Sequence, residues 1–404
     1  MALPEVTYED VVAARELLKG VAALTPVVHS RVLSETVGGS VHLKCENLQR
    51  AGSFKVRGAY VRIARLTDEE RARGVVAASA GNHAQGVALG STMLGAKSTV
   101  YMPMGAPLPK IEATRAYGAD VVFAGHTVDA ALLAAREHAD KTGAVFIHPF
   151  DHPDVVAGQG TVGLEILDQL PEAATIVLPI GGGGLAAGVA LAVKSLRPGV
   201  RIVGVQAERA AAYPDSLAAG RPVMVEPSST MADGIAVGRP GELTFELIHY
   251  LVDSVLTVSE ESLSRALLLC LERSKLVVEP AGVAGVAALL DHPHAFEPPV
   301  VAVLSGGNID PLLMARVLRH GLAAAGRYLA FRIRLADRPG ALAGLLTRLA
   351  ELETNVLDVV HERVGARLHL GEAEVLLHLE TRGPAHCDEV LSALRRDGHT
   401  LLFS

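Results

Sequence analysis

Tryptophan is absent from the chain, and aromatic side chains make up only 4% of its 404 residues. A surface built to stack nucleic-acid bases normally carries more rings. An excess of basic charge is also missing: 37 Lys and Arg stand against 44 Asp and Glu, for a net charge of −7. No chain-wide positive field gathers nucleic acid or anionic lipid, so neither is expected as a partner. Cysteine is scarce. Cys45, Cys270 and Cys387 lie far apart, with no CxxC or Cys/His spacing. Disulfides and structural zinc are not expected, and a reducing cytoplasm is the default setting. Long apolar runs are lacking too; stretches such as 185–193 are too short or too glycine-rich to span a bilayer. The first twenty residues, MALPEVTYEDVVAARELLKG, read as an amphipathic helix. They lack the basic start and apolar centre of a secretory leader.

What is present is a globular composition, half hydrophobic and one-fifth charged, with 40 glycines. The length calls for two or three compact units. From about residue 70 to 320, β-branched apolar runs alternate with helix-compatible stretches. Strands are expected at 74–78, 98–102, 175–180, 201–205 and 300–304. Continuous apolar strands alternating with helices imply parallel α/β sheets. Three polar or glycine-rich loops follow strands directly, at 79–83, 181–184 and 305–308. Ligands bind at the carboxyl ends of strands in such sheets, so the three loops read as walls of one site. Near residue 326 the pattern changes. Strands at 328–335, 355–363, 372–379 and 400–403, with helices at 341–352 and 386–396, give the ferredoxin-like order βαββαβ. The expected division is residues 1–325 and 327–404, with a linker at 324–326 and a smaller α/β subdomain at about 51–150 inserted in the first.

Three motifs carry chemistry. In Gly52-Ser53-Phe54-Lys55-Val56-Arg57-Gly58, Ser53 is expected to cap a helix whose first turn holds Lys55. The positive helix end and Arg57 would then both disfavour the charged lysine and favour a nucleophilic amine. An ordinary surface lysine is the competing reading. Gly181, Gly182, Gly183 and Gly184 before Leu185 let successive N–H groups converge on an anion at a helix start. No Lys-Ser/Thr follows, and GxGxxG spacing is absent, so this is neither a Walker loop nor a dinucleotide fingerprint. A packing turn is the alternative. In Ser79-Ala80-Gly81-Asn82-His83-Ala84-Gln85-Gly86, polar groups and amides can receive a carboxylate or a phenolic oxygen, while His83 reads more readily as structural.

Together with Ser305-Gly306-Gly307-Asn308, these strings occur in the order found in threonine/serine dehydratases, which the chain resembles over about residues 5–320. The resemblance implies the tryptophan-synthase-β-like fold (fold type II, two open α/β subdomains) and the cofactor pyridoxal 5'-phosphate. It implies a carbon–nitrogen lyase that eliminates water from threonine or serine. By that resemblance Lys55 would form the Schiff base, with Phe54 beside the ring and Asn82 on the phenolic oxygen. Gly181, Gly182, Gly183, Gly184 and Leu185 would hold the phosphate, and Ser305 would meet the pyridine nitrogen. Ser79, Ala80, Gly81, Asn82 and His83 would surround the substrate carboxylate, and Gly234 and Glu279 would approach the ring.

The C-terminal segment resembles an ACT domain, with Asp337-Arg338-Pro339-Gly340-Ala341-Leu342 as its first turn. That implies an amino-acid effector, isoleucine or valine, near Asp337, Gly340, Ala341 and Leu342, with Asn355 facing them. The dehydratase resemblance implies a homodimer or homotetramer. Ala80 stands where related racemases have a serine, so racemisation is expected to be poor. Gln206 and Ala212 stand where relatives place acids around a divalent cation, so no such divalent metal site is expected. A serine-preferring lyase shares every residue above. A nicotinamide oxidoreductase leaves Lys55 unexplained, and a catalytically dead amino-acid sensor leaves Lys55, Asn82 and Ser305 without a purpose.

Overall fold

The strands form where the β-branched runs place them. The computed structural model describes residues 5–226, 228–364 and 368–403. In chain order the strands are β1 (Val27–His29), β2 (Val41–Lys44), β3 (Val75–Ala78), β4 (Ser98–Met102), β5 (Asp120–Phe123), β6 (Val145–Phe146), β7 (Thr175–Pro179), β8 (Arg201–Ala207), β9 (Ser254–Val258) and β10 (Val300–Val303). They make two sheets, ordered β1-β2-β10-β7-β8-β9 and β5-β4-β3-β6. All pairs are parallel except β1 with β2. Every residue of β3, β7 and β10 is buried. A parallel sheet covered on both faces demands such unbroken apolar runs.

The order of the larger sheet sets β2, β10 and β7 side by side, so the loops leaving their carboxyl ends are neighbours. The helix Lys55–Ala64 follows the first of these loops. It lies directly on the helix Pro153–Gln169: a Cβ on Gly158 would stand 2.6 Å from the Cα of Gly58. Only glycine permits that approach.

Beneath this helix is a closed set of buried charges. Arg57 donates to Glu46 from Nε and Nη2, both at 2.8 Å, and to Glu165 at 2.6 and 2.9 Å. Lys44 donates to Glu165 at 2.6 Å, to Gln169 at 2.9 Å and to the carbonyl of Thr25 at 2.8 Å. Two cations meet two carboxylates with further hydrogen bonds, the condition under which buried ions are tolerated.

The chain divides by its contacts into Met1–Leu313 and Met314–Ser404. The helix Pro311–Ala324 spans the division, which falls earlier than the expected boundary at 325–327. In the second unit, β11 (Tyr328–Ala336), β12 (Asn355–Glu362), β13 (Glu372–Glu380) and β14 (Leu401–Leu402) form an antiparallel sheet ordered β12-β13-β11-β14. The helices Ala341–Glu351 and Pro384–Arg396 complete a ferredoxin-like βαββαβ unit. Its core joins Phe331, Ile333 and Leu335 to Val375, Leu377 and Leu379, capped by Leu345, Leu349, Val390 and Leu394. This alternation along β11 and β13 is the period-two pattern of a half-covered strand.

Candidate active site

Ser305 follows β10, and its carbonyl accepts the N–H of Phe54 at 3.2 Å. Ser53 and Gly306 form an isolated antiparallel bridge. These contacts set Lys55 beside the carboxyl end of β10. Phe54, not Ser53, is the residue that precedes the helix, and it makes no side-chain cap. Ser53 is extended and fully buried, with φ of −164°, and its Oγ has no hydrogen-bond partner. The expected cap is therefore corrected: the bridge to Gly306 holds Ser53 away from the helix amides.

The Lys55 Nζ donates to the carbonyl of Pro149 at 2.9 Å and lies 5.2 Å from the Phe54 ring centroid. Burial brings its amine down to about 8, while the charge of Glu279 pulls it up. Arg57 has no part in this. Its guanidinium is engaged with Glu46 and Glu165 under the helix, and their carboxylates hold it charged despite burial.

The glycine loop follows β7. Gly183 has φ of 104° and precedes the helix Gly184–Leu196. A Cβ on Gly182 would run into the Phe150 ring, and one on Gly183 would run into Tyr213 Oη. Thr244 Oγ1 and Tyr213 Oη donate to the Gly182 carbonyl at 2.6 and 3.3 Å. With that carbonyl tied back, the amides at the helix start are left free to receive an anion. Leu185 lies in the first turn and is buried in the main core.

The loop after β3 faces these two. Ser79 Oγ accepts the Gly81 N–H at 3.1 Å, and Asn82 opens the helix Asn82–Met93. Asn82 Nδ2 donates to Glu279 Oε1 at 2.5 Å, and its Oδ1 accepts from Asn308 Nδ2 at 2.8 Å. An amide nitrogen carries two hydrogens, so one of Asn82 remains available. Glu279 is 4% exposed. Burial, reinforced by Asp233, pushes its carboxyl up to about 7, against Lys110, Asn82 and Lys55. Gly234 lies over Glu279, its Cβ position 3.9 Å from Oε1. His83 is buried with Nε2 2.9 Å from the Ile147 carbonyl. Burial and the nearby Lys55 charge take its imidazole down to about 3, so the ring is a neutral anchor. Ala80 is part-buried in the same loop.

The segment after β6 carries no motif that marks it in the sequence, yet it borders the site. His148 Nδ1 accepts the N–H groups of Phe150 and Asp151 at 3.3 and 2.8 Å. Burial lowers that imidazole to about 4, which keeps it an acceptor. Asp151 accepts from the amides of Glu242 and Thr244 at the start of the helix Glu242–Leu251. Asn308 closes a motif in the sequence without a role of its own, but here it joins Asn82, Gln85 and the Ala51 carbonyl.

Gln206 accepts from the Tyr213 N–H at 2.9 Å and donates to the Ile180 carbonyl at 3.3 Å. No group of three or more His, Cys, Asp or Glu among the described residues is placed to hold a metal. No described helix is long and apolar enough to cross a membrane.

In the second unit, Asp337, Arg338, Gly340, Ala341 and Leu342 line a concavity of about 490 Å³. His361 and Arg363 form its other wall, and Arg363 Nε lies 3.2 Å from Asp337 Oδ1. Asn355 does not face this hollow within the unit. It opens β12, whereas Asp337 follows the end of β11, and the register through β13 sets these at opposite ends of the sheet. Its Nδ2 donates to Glu380 at 3.1 Å.

Residues 19–306 match a family model described as pyridoxal-phosphate dependent enzyme. An L-threonine ammonia-lyase of Thermotoga maritima is 48% identical over 394 residues, 98% of each chain. The crystal structure of a T.th. threonine deaminase superposes with a TM-score of 0.72 at 43% identity, covering 75% of this chain and 99% of that one. Maize serine racemase superposes with a TM-score of 0.74 at 34% identity, covering 79% and 98%.

Proposed function

The chain belongs to the pyridoxal-phosphate-dependent enzymes, and from that premise we propose that it eliminates the β-hydroxyl of L-threonine as water, yielding 2-oxobutanoate and ammonia. L-Serine would give pyruvate by the same steps. The observation that supports this most is geometric: Lys55 Nζ donates to the Pro149 carbonyl at 2.9 Å, next to the Phe150 that packs on the glycine loop, while the preceding Phe54 N–H donates to the Ser305 carbonyl.

The residues fit the cofactor. The glycine loop presents bare backbone, since Phe150 and Tyr213 already occupy the space that side chains at Gly182 and Gly183 would need, and Ser53 Oγ is a buried orphan two residues before the lysine. Gly181, Gly182, Gly183, Gly184 and Leu185 would hold the phosphate, and Asn82 the phenolic oxygen through its remaining hydrogen. Ser305, with Glu279 and Gly234 nearby, would border the ring. When bound, the cofactor supplies the sink for the electron pair left as the substrate Cα–H bond breaks.

The protein's own part is to orient and to move protons. Lys55 Nζ takes the Cα proton, and burial keeps a useful share of it neutral near pH 7. Pro149 and Phe54 fix the direction of Nζ. The loop Ser79, Ala80, Gly81, Asn82 and His83 receives the substrate carboxylate, with the His83 ring anchoring its backbone. Ala80 has no proton to deliver to the opposite face of Cα, so racemisation is slow.

The second unit, read as an ACT domain, would bind isoleucine or valine at the Asp337–Arg363 hollow in a homodimer or homotetramer. Steady-state assay with threonine and serine, with 2-oxo acid and ammonia both measured, tests the activity. Equimolar 2-oxobutanoate and ammonia from threonine support it; no oxo acid from either substrate with cofactor bound sinks it. Isoleucine that binds without altering threonine kinetics would remove the feedback role.

A further inference from the structure

Lys110 lies in the helix Leu108–Ala116, beside the loop after β3. Its Nζ is 3.8 Å from the Cβ position of Gly81, so the ammonium stands over that loop. The side chain is only 11% exposed. It donates to Asp233 Oδ2 at 2.8 Å, and Asp233 is 56% exposed. Asp233 begins the short turn Asp233–Ile235, which packs on the glycine loop after β7 of the larger sheet, a Cβ on Gly181 standing 3.1 Å from the Cα of Ile235, whereas Lys110 belongs to the β3–β6 side. The pair thus bridges the cleft. Glu279, at the floor, feels both partners, with Asp233 opposing its ionisation and Lys110 favouring it.

The asymmetry of burial is informative. A lysine so largely enclosed has given up most of its hydration and needs an anion near it. The anion it has is a carboxylate still largely in water, which is weakly held and easily exchanged. We propose that Lys110 is a specificity-determining residue that binds the substrate α-carboxylate, and that Asp233 is a stand-in carboxylate which the substrate displaces. The inference rests on the amino-acid lyase reading above. It gives the cleft a reason to prefer amino acids over β-hydroxy amines that lack a carboxylate. The substrate carboxylate, lying between the loop amides and the Lys110 ammonium, would replace one carboxylate partner with another, so no buried charge is left unpaired.

A bridge that merely braces the two sides makes a different prediction from a displaceable stand-in. If Asp233 competes with substrate, the two halves of the pair affect binding in opposite directions. Lys110→Met should raise the threonine KM by about tenfold or more, as loss of a charged hydrogen bond does. Asp233→Asn should lower KM about two- to fivefold, as removal of a weak competing ion pair does. Lys110→Arg should recover part of the loss. Calorimetric titration of the holoenzyme with L-2-aminobutyrate, which has no leaving hydroxyl, should show the same opposite shifts in Kd without turnover. Melting temperatures identify any variant that is simply misfolded, and Lys110→Arg and Asp233→Asn keep the test open if Lys110→Met is. Weaker binding in both Lys110→Met and Asp233→Asn, or no change in either, would overturn the proposal. A wild-type protein that forms no oxo acid and binds no aminobutyrate would overturn the lyase reading itself, and this inference with it.

Discussion

Lys55 donates from Nζ to the carbonyl oxygen of Pro149 at 2.9 Å. The bond ties the lysine to the same short segment that shapes the glycine loop. Phe150 fills the space where Gly182 and Gly184 lack side chains, and His148 holds the amides of Phe150 and Asp151. The nucleophile and the anion cradle therefore share one strut. A shift in that segment moves both.

The buried lysine should titrate apart from all the surface lysines. Its amine lies at about 8, against 10.5 for an ordinary lysine. In the unfolded chain it binds a proton that the folded chain releases, so this group's contribution to stability rises with pH between about 8 and 10.5. Amine modification of the cofactor-free protein across pH, read peptide by peptide by mass spectrometry, should give Lys55 a midpoint near 8. A midpoint with the surface lysines would contradict the account.

Gly183→Ala should empty the cradle. Its φ of 104° is costly for any residue with a Cβ, by about 1–3 kcal/mol. The new methyl would also run into Tyr213 Oη and crowd Thr244 Cβ at 2.9 Å. Equilibrium dialysis should show cofactor affinity reduced about tenfold or more. Unchanged affinity would mean that the loop does not hold the phosphate.

Arg57→Met should cost about 3–5 kcal/mol, because it strands two carboxylates next to a single remaining lysine. In the wild type, burial pushes Glu46 up, but Arg57 outweighs it and holds the carboxyl below its usual range. That stabilisation is present above the ordinary carboxylate pKa and is lost as pH falls. In the variant, burial acts without Arg57 and the sign reverses: stability should fall as pH rises through the carboxylate range. Urea unfolding of both proteins across that range reads the reversal. Parallel pH curves would refute it.

Much of this architecture was legible in the chain itself. β4 spans the residues expected, and β11, β12 and β13 end within about two residues of their expected limits, the usual uncertainty of such bounds. Those strands have strong period-two or all-apolar patterns. The three loops converge because each follows a parallel strand. What could not be read depends on contacts between distant segments. Ser53 looks like a cap locally, but its bridge is to Gly306. Arg57 stands two positions from Lys55, yet it turns to partners at Glu46 and Glu165. His148 and Asp151 carry no motif that announces a strut. Asp337 follows β11 and Asn355 opens β12 of one small unit, and only the strand register shows that they lie at opposite ends.

The central claim is that Lys55 joins the cofactor and moves the substrate proton. The most direct test compares visible absorbance and oxo-acid formation from threonine in the wild type and Lys55→Ala, both supplied with pyridoxal phosphate. The account predicts a visible band from lysine-bound cofactor and 2-oxobutanoate in the wild type, and neither in the variant. A variant that keeps the band and forms oxo acid, or a wild type with neither, would contradict it.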